Sequence, residues 1–297
     1  MKKKLTIGLL SAIILLFFII SFTYGQESSK GLKVFISVDM EGITGVVNWA
    51  ETGGNTSDYQ YFRRVMTKET NAAIEGALEA GATEIIVRDS HGSARNILIE
   101  ELNPAAKLLR DWSGGYMSMM EGIDETFDAV IFVGYHAKAG TPNAVLEHTM
   151  TGSIMDVKIN GISVPEAGIN AAIAGYFNVP VVFISGDKAV CEQAKSLFGD
   201  IETVAVKKGL GSNAALNLPP EKTRKLIKKG VKRALERLKD FKPWKLKSPY
   251  TIEVTFKKEN MAYRASLYPG AKRTGDWSVA FTSYQFLDII KFFALTH

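Results

Sequence analysis

The stretch Ser37-Val38-Asp39-Met40-Glu41-Gly42 sets two carboxylates two residues apart at the end of an apolar run. On an extended chain such residues point to one side, about 7 Å apart along the backbone. Like charges held that close repel each other unless something positive lies between them. A simple turn needs only one Asp and a Gly, so the pair calls for a cation. Two later apolar runs end in a related way, one in Asp89-Ser90-His91 and the other in Gly134-Tyr135-His136. His148 follows in Glu147-His148-Thr149-Met150, and Glu166 in Val164-Pro165-Glu166-Ala167-Gly168. Of four histidines, three fall in this region and the fourth, His297, is the final residue. Taken singly, each has a plain structural role: a strand-end Asp caps a turn, a strand-end His packs through hydrogen bonds, and a Glu in a first helical turn suits the dipole. Their convergence favours a metal site. Imidazole and carboxylate oxygen suit Zn²⁺, with Mn²⁺, Co²⁺ or Fe²⁺ as competitors. Asp39, Glu41, His91, His136 and Glu166 are five candidate ligands, more than one catalytic zinc needs. Two metals sharing a bridging carboxylate use all five and leave positions open for water.

The elements that must position them alternate. LKVFISVD, TEIIVRD, DAVIFVGY and VPVVFISGD read as strands, and YFRRVMTKETNAAIEGALEAG as a helix stopped by Gly81. EAGINAAIAGYFN and KAVCEQAKSLF are helical, and Asn160-Gly161 between apolar runs signals a hairpin. Continuous Val/Ile-rich strands alternating with helices predict an α/β three-layer sandwich with a largely parallel sheet. In such sheets ligands bind outside the carboxyl ends of the strands, where these acids and histidines fall. From about residue 200 the texture changes to a smaller α+β part. It comprises a basic helix from PPEKTRKLIKKG, strands at YTIEVTF and around YRASLYPG, and the apolar helix SYQFLDIIKFFALTH. The expected organisation is a signal peptide over 1–25, a linker over 26–32, a catalytic α/β domain over 33–199 and a C-terminal α+β domain over 200–297.

The net charge of +5 owes three lysines to the first 25 residues, which hold no acid; a chain starting at Gln26 carries 33 basic and 31 acidic residues, a net +2. No Lys/Arg stripe argues for nucleic acid. A basic start, an apolar stretch from Leu5 to Phe22 and then small or polar residues read as a secretory signal cleaved after Gly25, or as an N-terminal membrane anchor. Export places the protein in the periplasm or outside the cell. The single Cys191 has no internal disulfide partner and reads as a buried thiol.

SVDMEG at 37–42, MTKETN at 66–71, RDSH at 88–91, MEG at 120–122, GYHAKAGTP at 134–142, EHTM at 147–150 and PEAGIN at 165–170 together resemble the zinc-dependent D-aminopeptidases associated with dipeptide-permease operons. The resemblance spans roughly residues 33–290. It implies two zinc ions per subunit with Asp39 bridging, Glu41 and His91 completing one set of protein ligands, and His136 and Glu166 the other. His148 matches an essential histidine that is not a ligand. The resemblance also implies short substrates with N-terminal D-residues, such as D-Ala-D-Ala, and a large ring-shaped homo-oligomer, a decamer, with the C-terminal helix as a contact surface. Two features depart from the family pattern: Pro165 stands where Gly usually precedes the metal Glu, and the leader is absent from the better-known cytoplasmic members.

These observations predict metal-assisted amide hydrolysis. The rival readings are a metal-dependent hydrolase of L-peptides, other amides or esters, and a periplasmic peptide- or metal-binding protein without catalysis. Retention of His148 beside a full ligand set argues against the last.

Overall fold

The computed structural model describes residues 31–54 and 56–296; the segment read as a signal, most of the linker and His297 lie outside them. β1 (Leu32–Val38), α1 (Ser57–Glu79), β2 (Ala82–Asp89), β3 (Ala106–Leu109) and β4 (Ala129–Tyr135) come first. A hairpin of β5 (Ile154–Ile159) and β6 (Ile162–Ser163) leads through α2 (Glu166–Tyr176) to β7 (Val181–Asp187). Then follow α3 (Lys188–Phe198), β8 (Glu202–Leu210), β9 (Ala214–Asn217) and α4 (Pro220–Glu236). β10 (Tyr250–Phe256), α5 (Glu259–Ser266), β11 (Lys272–Arg273), β12 (Ser278–Ser283) and α6 (Phe286–Thr296) end the chain.

Seven strands form a sheet in the order β3-β2-β1-β4-β7-β8-β9, parallel throughout except for the final antiparallel β9. β4 and β7 are buried along their whole length, which explains their unbroken apolar character. Alternate residues of each strand feed two cores. Val34, Ile36 and Val38 join Val65, Met66 and Ile74 of α1 and Ile227 and Val231 of α4 on one face. Phe35, Phe132 and Tyr135 join Ile169 and Ile173 of α2 on the other. That second core continues into a smaller antiparallel sheet, order β11-β12-β10-β5-β6, through Val157, Ile252 and Val254. α6 buries Phe286, Ile289, Ile290, Phe292 and Phe293 there as well.

Two details depart from the sequence reading. The sheets do not divide at residue 200: β8 and β9 complete the larger sheet, while β5 and β6 belong to the smaller one. The segment around Tyr263 is a helix, α5, rather than a strand. Ala262 and Ala265, three apart, are its buried residues, so the helical period wins over the β-like composition.

β2 and β3 lie to one side of β1, and β4 and β7 to the other. The winding therefore reverses between β1 and β4, and the carboxyl ends of these neighbours open the crevice where such sheets bind ligands.

Candidate metal centre

Asp39 and Glu41 leave β1 into that crevice, His91 follows β2, and His136 follows β4. The backbone there is drawn tight: the Asp39 amide donates to Val133 O (2.8 Å), and the Gly42 amide to Gly134 O (2.8 Å). A side chain at Gly42 would run into the carbonyl of Tyr135, and one at Gly134, whose φ is +72°, into that of Asp39. These two glycines let the β1 and β4 exits approach closely enough for their side chains to share a centre.

The metal-binding atoms of Asp39, Glu41 and His136 lie within 4.8 Å of one another, as do those of His136, His148 and Glu166. His91 Nδ1 joins them, 3.1 Å from Asp39 Oδ1 and 3.0 Å from Glu41 Oε2. Asp39 Oδ2 turns to His136 Nε2 (3.4 Å), which is also 3.4 Å from Glu166 Oε1. All six residues singled out in the sequence thus meet here. Asp39, Glu41, His136 and Glu166 are each 3% exposed or less, so their charges have almost no help from water.

Each imidazole is held by one nitrogen and offers the other. His91 Nε2 sits 2.6 Å from Thr52 O, His136 Nδ1 3.0 Å from Ala137 O, and His148 Nδ1 2.9 Å from Leu146 O. A carbonyl takes only a proton donor, so these contacts keep a proton on the outer nitrogen and turn the inner nitrogen toward the centre, as in metal-ligating histidines. Asp39 Oδ2, Glu41 Oε2 and His136 Nε2 are buried without a hydrogen-bond partner. Buried polar atoms seldom go unmatched, and a cation among these three fits both their position and their chemistry.

Protonation shows the same need for positive charge. Burial, then the charge of Glu41, pushes Asp39 up to about 7. Burial also works against ionised Glu41, but the charge of the adjacent His91 outweighs it and holds this carboxyl well below its usual range. Glu166, buried but beside His136, falls to about 2. His136 resists its own burial because Glu166, Asp39 and Glu41 surround it, and rises to about 10. His91 is raised well above normal against the same burial, chiefly by Glu41. Of the three histidines, only His148 moves down, from burial and the nearby His136. Its ring stacks on His136 at 4.1 Å, Nε2 lies 3.7 Å from Glu166 Oε1, and Trp49 meets it edge-on at 5.2 Å.

Pro165 fits its place. Its extended backbone (φ −71°, ψ 175°) is the N-cap of α2, and Glu166 is the first helical residue. Glu166 Oε1 also accepts from the Met150 amide (2.6 Å). Leu146 and Met150, both at positive φ (53° and 61°), bracket His148, so the loop carrying it is held in a strained conformation that aims the ring. Asp89 is not turned to the centre; it accepts from the Asn96 and Ile97 amides and the Asn96 side chain, bracing the loop after His91. Asn170 donates to the Tyr135 hydroxyl (3.0 Å), which bonds Ser37 Oγ (2.7 Å) beneath the site.

Lys207 of β8 escaped sequence reading. Fully buried, it donates to the carbonyls of Glu41, Ile43 (3.0 Å) and Val46 (2.6 Å), clamping the loop that carries two acids. Nothing local marks a lysine in VAVKKG for this task. Trp49 and Trp112 line the cleft, whose volume is about 290 Å³. They too carry no spacing signal.

Against known proteins, the D-aminopeptidase family model matches residues 32–295. A curated D-aminopeptidase of Bacillus subtilis (strain 168) is 35% identical over 260 residues, covering 86% of this chain and 93% of that protein. Among solved structures, the Zn-dependent D-aminopeptidase DppA from Bacillus subtilis, described as a self-compartmentalizing protease, superposes with a TM-score of 0.86 at 33% identity, covering 89% of this chain and 96% of that one. The matched span takes in both sheets and the segments that carry the centre, and the chain belongs to the D-aminopeptidase family.

Proposed function

We propose that this chain is a zinc-dependent aminopeptidase that removes N-terminal D-residues from short peptides, using two zinc ions per subunit. In this reading Asp39, Glu41, His91, His136 and Glu166 would hold the ions, with His91 on the Oδ1 side of Asp39 beside Glu41, and His136 on its Oδ2 side beside Glu166. The observation that carries it is the division of Asp39, with Oδ1 facing His91 and Oδ2 facing His136 among buried, unpartnered ligand atoms. Family membership and the zinc dependence of the structural relative support the metal and the substrate class.

When bound, the ions supply a water made nucleophilic near neutral pH and polarise the scissile carbonyl. The chain's own residues do the rest. His148, with Nδ1 tied to Leu146 O and a lowered pKa, presents an unprotonated Nε2 to the cleft. There it takes up a proton, and the imidazolium so formed hydrogen-bonds the oxyanion or returns the proton to the leaving amine. Trp49 and Trp112 line the cleft and offer apolar surface to a bound peptide.

Export rests on the basic and then apolar composition of residues 1–25. It would bring the enzyme to peptidoglycan-derived D-peptides. Self-association extends to this chain the self-compartmentalizing description of its structural relative, with a decameric ring as the expected form. The apolar side of α6 is taken up by its own core, which leaves Leu295 as the large apolar side chain it exposes.

The test is release of free D-alanine from D-Ala-D-Ala by the purified chain, beside L-Ala-L-Ala, repeated after chelation and zinc add-back. Selective D-release that vanishes with chelator and returns with zinc is the expected result. Equal cleavage of the L-isomer, or no turnover with the site loaded, overturns the substrate assignment.

A further inference from the structure

Next to the metal cleft lies a larger groove of about 410 Å³, within the range of about 300–1,000 Å³ typical of small-ligand sites. The two cavities adjoin, since Trp112 and Ser118 line both. A peptide whose amino end is held at the metal centre has this groove in which to lay its remaining length.

The groove presents Arg88, from the end of β2, which is 1% exposed. Its Nη1 donates to Asp111 O (2.6 Å), and the guanidinium carbon sits 4.3 Å from the Trp112 ring centroid. Trp112 is fixed in turn, its indole N–H donating to Gly92 O (2.7 Å). The other edge of the guanidinium is unmatched: Nε and Nη2 are both buried with no hydrogen-bond partner. Those two donors form the side of the fork that fits the two oxygens of a carboxylate. Leaving them unmet in the interior costs free energy that a bound anion recovers. A second cation, Lys291 of α6, lines the same groove, 5.4 Å from the Tyr116 ring and 3.3 Å from Asp288 Oδ1. Glu121 also lines it, its carboxylate packed against Gly115.

We propose that this groove is the subsite for the leaving portion of the substrate, and that Arg88, assisted by Lys291, recognises the free carboxylate at the C-terminus of a short peptide. The inference rests on the aminopeptidase reading, in which the amino end is held at the metal centre. With each end of the peptide fixed by its own charge, the scissile bond of a short chain is drawn between them. Arg88 is then a specificity residue, selecting peptides whose C-terminus is free.

The experiment compares D-Ala-D-Ala with its C-terminal amide, in kcat/KM with the zinc-loaded chain and in equilibrium dialysis with the chelator-treated chain. Wild type should favour the acid by on the order of tenfold to a hundredfold, the worth of hydrogen bonds to a charged group. Arg88→Gln should bring the acid-to-amide ratio close to one, with the change falling mainly on KM. Should Arg88→Gln not fold, Lys291→Glu, on a half-exposed side chain, should still lower that ratio several-fold. Selective, Lys291-dependent binding of the acid by the metal-free chain, with no turnover of either peptide after zinc loading, would uphold the subsite and overturn the aminopeptidase reading. Equal handling of acid and amide by wild type overturns the subsite alone. A Lys291→Glu chain with altered assembly mass and an unchanged ratio also overturns it, making the groove a subunit contact.

Discussion

At the scale of single residues, the centre is a set of buried charges arranged to want cations. Without metal, protons on His91 and His136 stand in for them. His136 titrates near 10 and His91 well above the usual 6.5, so both are protonated at pH 7, whereas a ligating imidazole must be neutral. Zinc uptake at pH 7 should therefore release about two to three protons per chain, two from the histidines and the remainder from Asp39, which is about half protonated there. Calorimetric titration in buffers of different ionisation enthalpy would read this number, and zero release would contradict the histidine states described. Stability follows with a definite sign. His136, its pKa raised by folding, contributes stability fully present below pH 6.5 and lost as pH climbs through about 10. Asp39, raised to about 7, pulls the same way as it ionises. The metal-free chain should thus melt at progressively lower temperature from pH 6.5 to 10, while the increment from added zinc grows. His148 differs, for its lowered pKa leaves Nε2 free to accept a proton. His148→Ala should reduce kcat by about 10²–10⁴-fold with zinc content unchanged. Loss of bound zinc in that variant would instead make His148 a ligand, a role within its reach given its place beside His136 and Glu166.

At the scale of elements, the site depends on how β1 and β4 leave the sheet and on what braces their exits. Gly134→Ala sets a methyl group against Asp39 O at a positive φ. It should destabilise the fold by on the order of 3 kcal/mol, measured by denaturant unfolding. An unaffected midpoint would mean that the exits have room to separate. Lys207 is the brace on the other side. Lys207→Met leaves three carbonyls of the 41–46 loop without their charged donor and should cost about 2–3 kcal/mol. The same variant should weaken zinc binding, since Glu41 rides on that loop. Unchanged zinc affinity in a chelator competition would confine Lys207 to a purely structural part. The element pattern itself was largely readable. Asn160 and Gly161, at φ 50° and 81°, form the two-residue turn expected of them, and α1 stops at Gly81. α5 was misread because Tyr263 and its neighbours favour strands by composition, whereas burial of Ala262 and Ala265 follows the helical period.

At the scale of the whole molecule, the metal centre joins segments from Asp39 to Glu166 and so ties the strand exits of the larger sheet to the segments on either side of the β5–β6 hairpin of the smaller one. Ligands that bind only the folded state stabilise it by mass action, about 4 kcal/mol at a thousandfold excess over Kd. Chelation should lower the melting temperature of the entire described fold in one transition, and zinc should restore it; two separate transitions would mean that the sheets unfold independently. Among the described residues no helix is long and apolar enough to cross a membrane. For assembly, light scattering should give a mass many times that of one chain, and a monomer at working concentration would remove the proposed ring.

The sequence by itself determined the chemistry on offer and the architecture to hold it. Apolar runs ending in Asp, Glu or His are local signals, because strand period and helix period act over a few residues. A parallel sheet then forces the carboxyl ends of neighbouring strands to one edge, which is why Asp39, Glu41, His91 and His136 could be grouped before any coordinates. Only the tertiary structure decided which oxygen of Asp39 faces which histidine, and that Pro165 is an acceptable cap for the helix starting at Glu166. It alone revealed Lys207 beneath a loop 166 residues away, Trp49 against His148, and the buried, unpaired edge of Arg88. Those relations depend on strand order and on side chains meeting across the core, and no period in the sequence encodes a contact between residues so far apart.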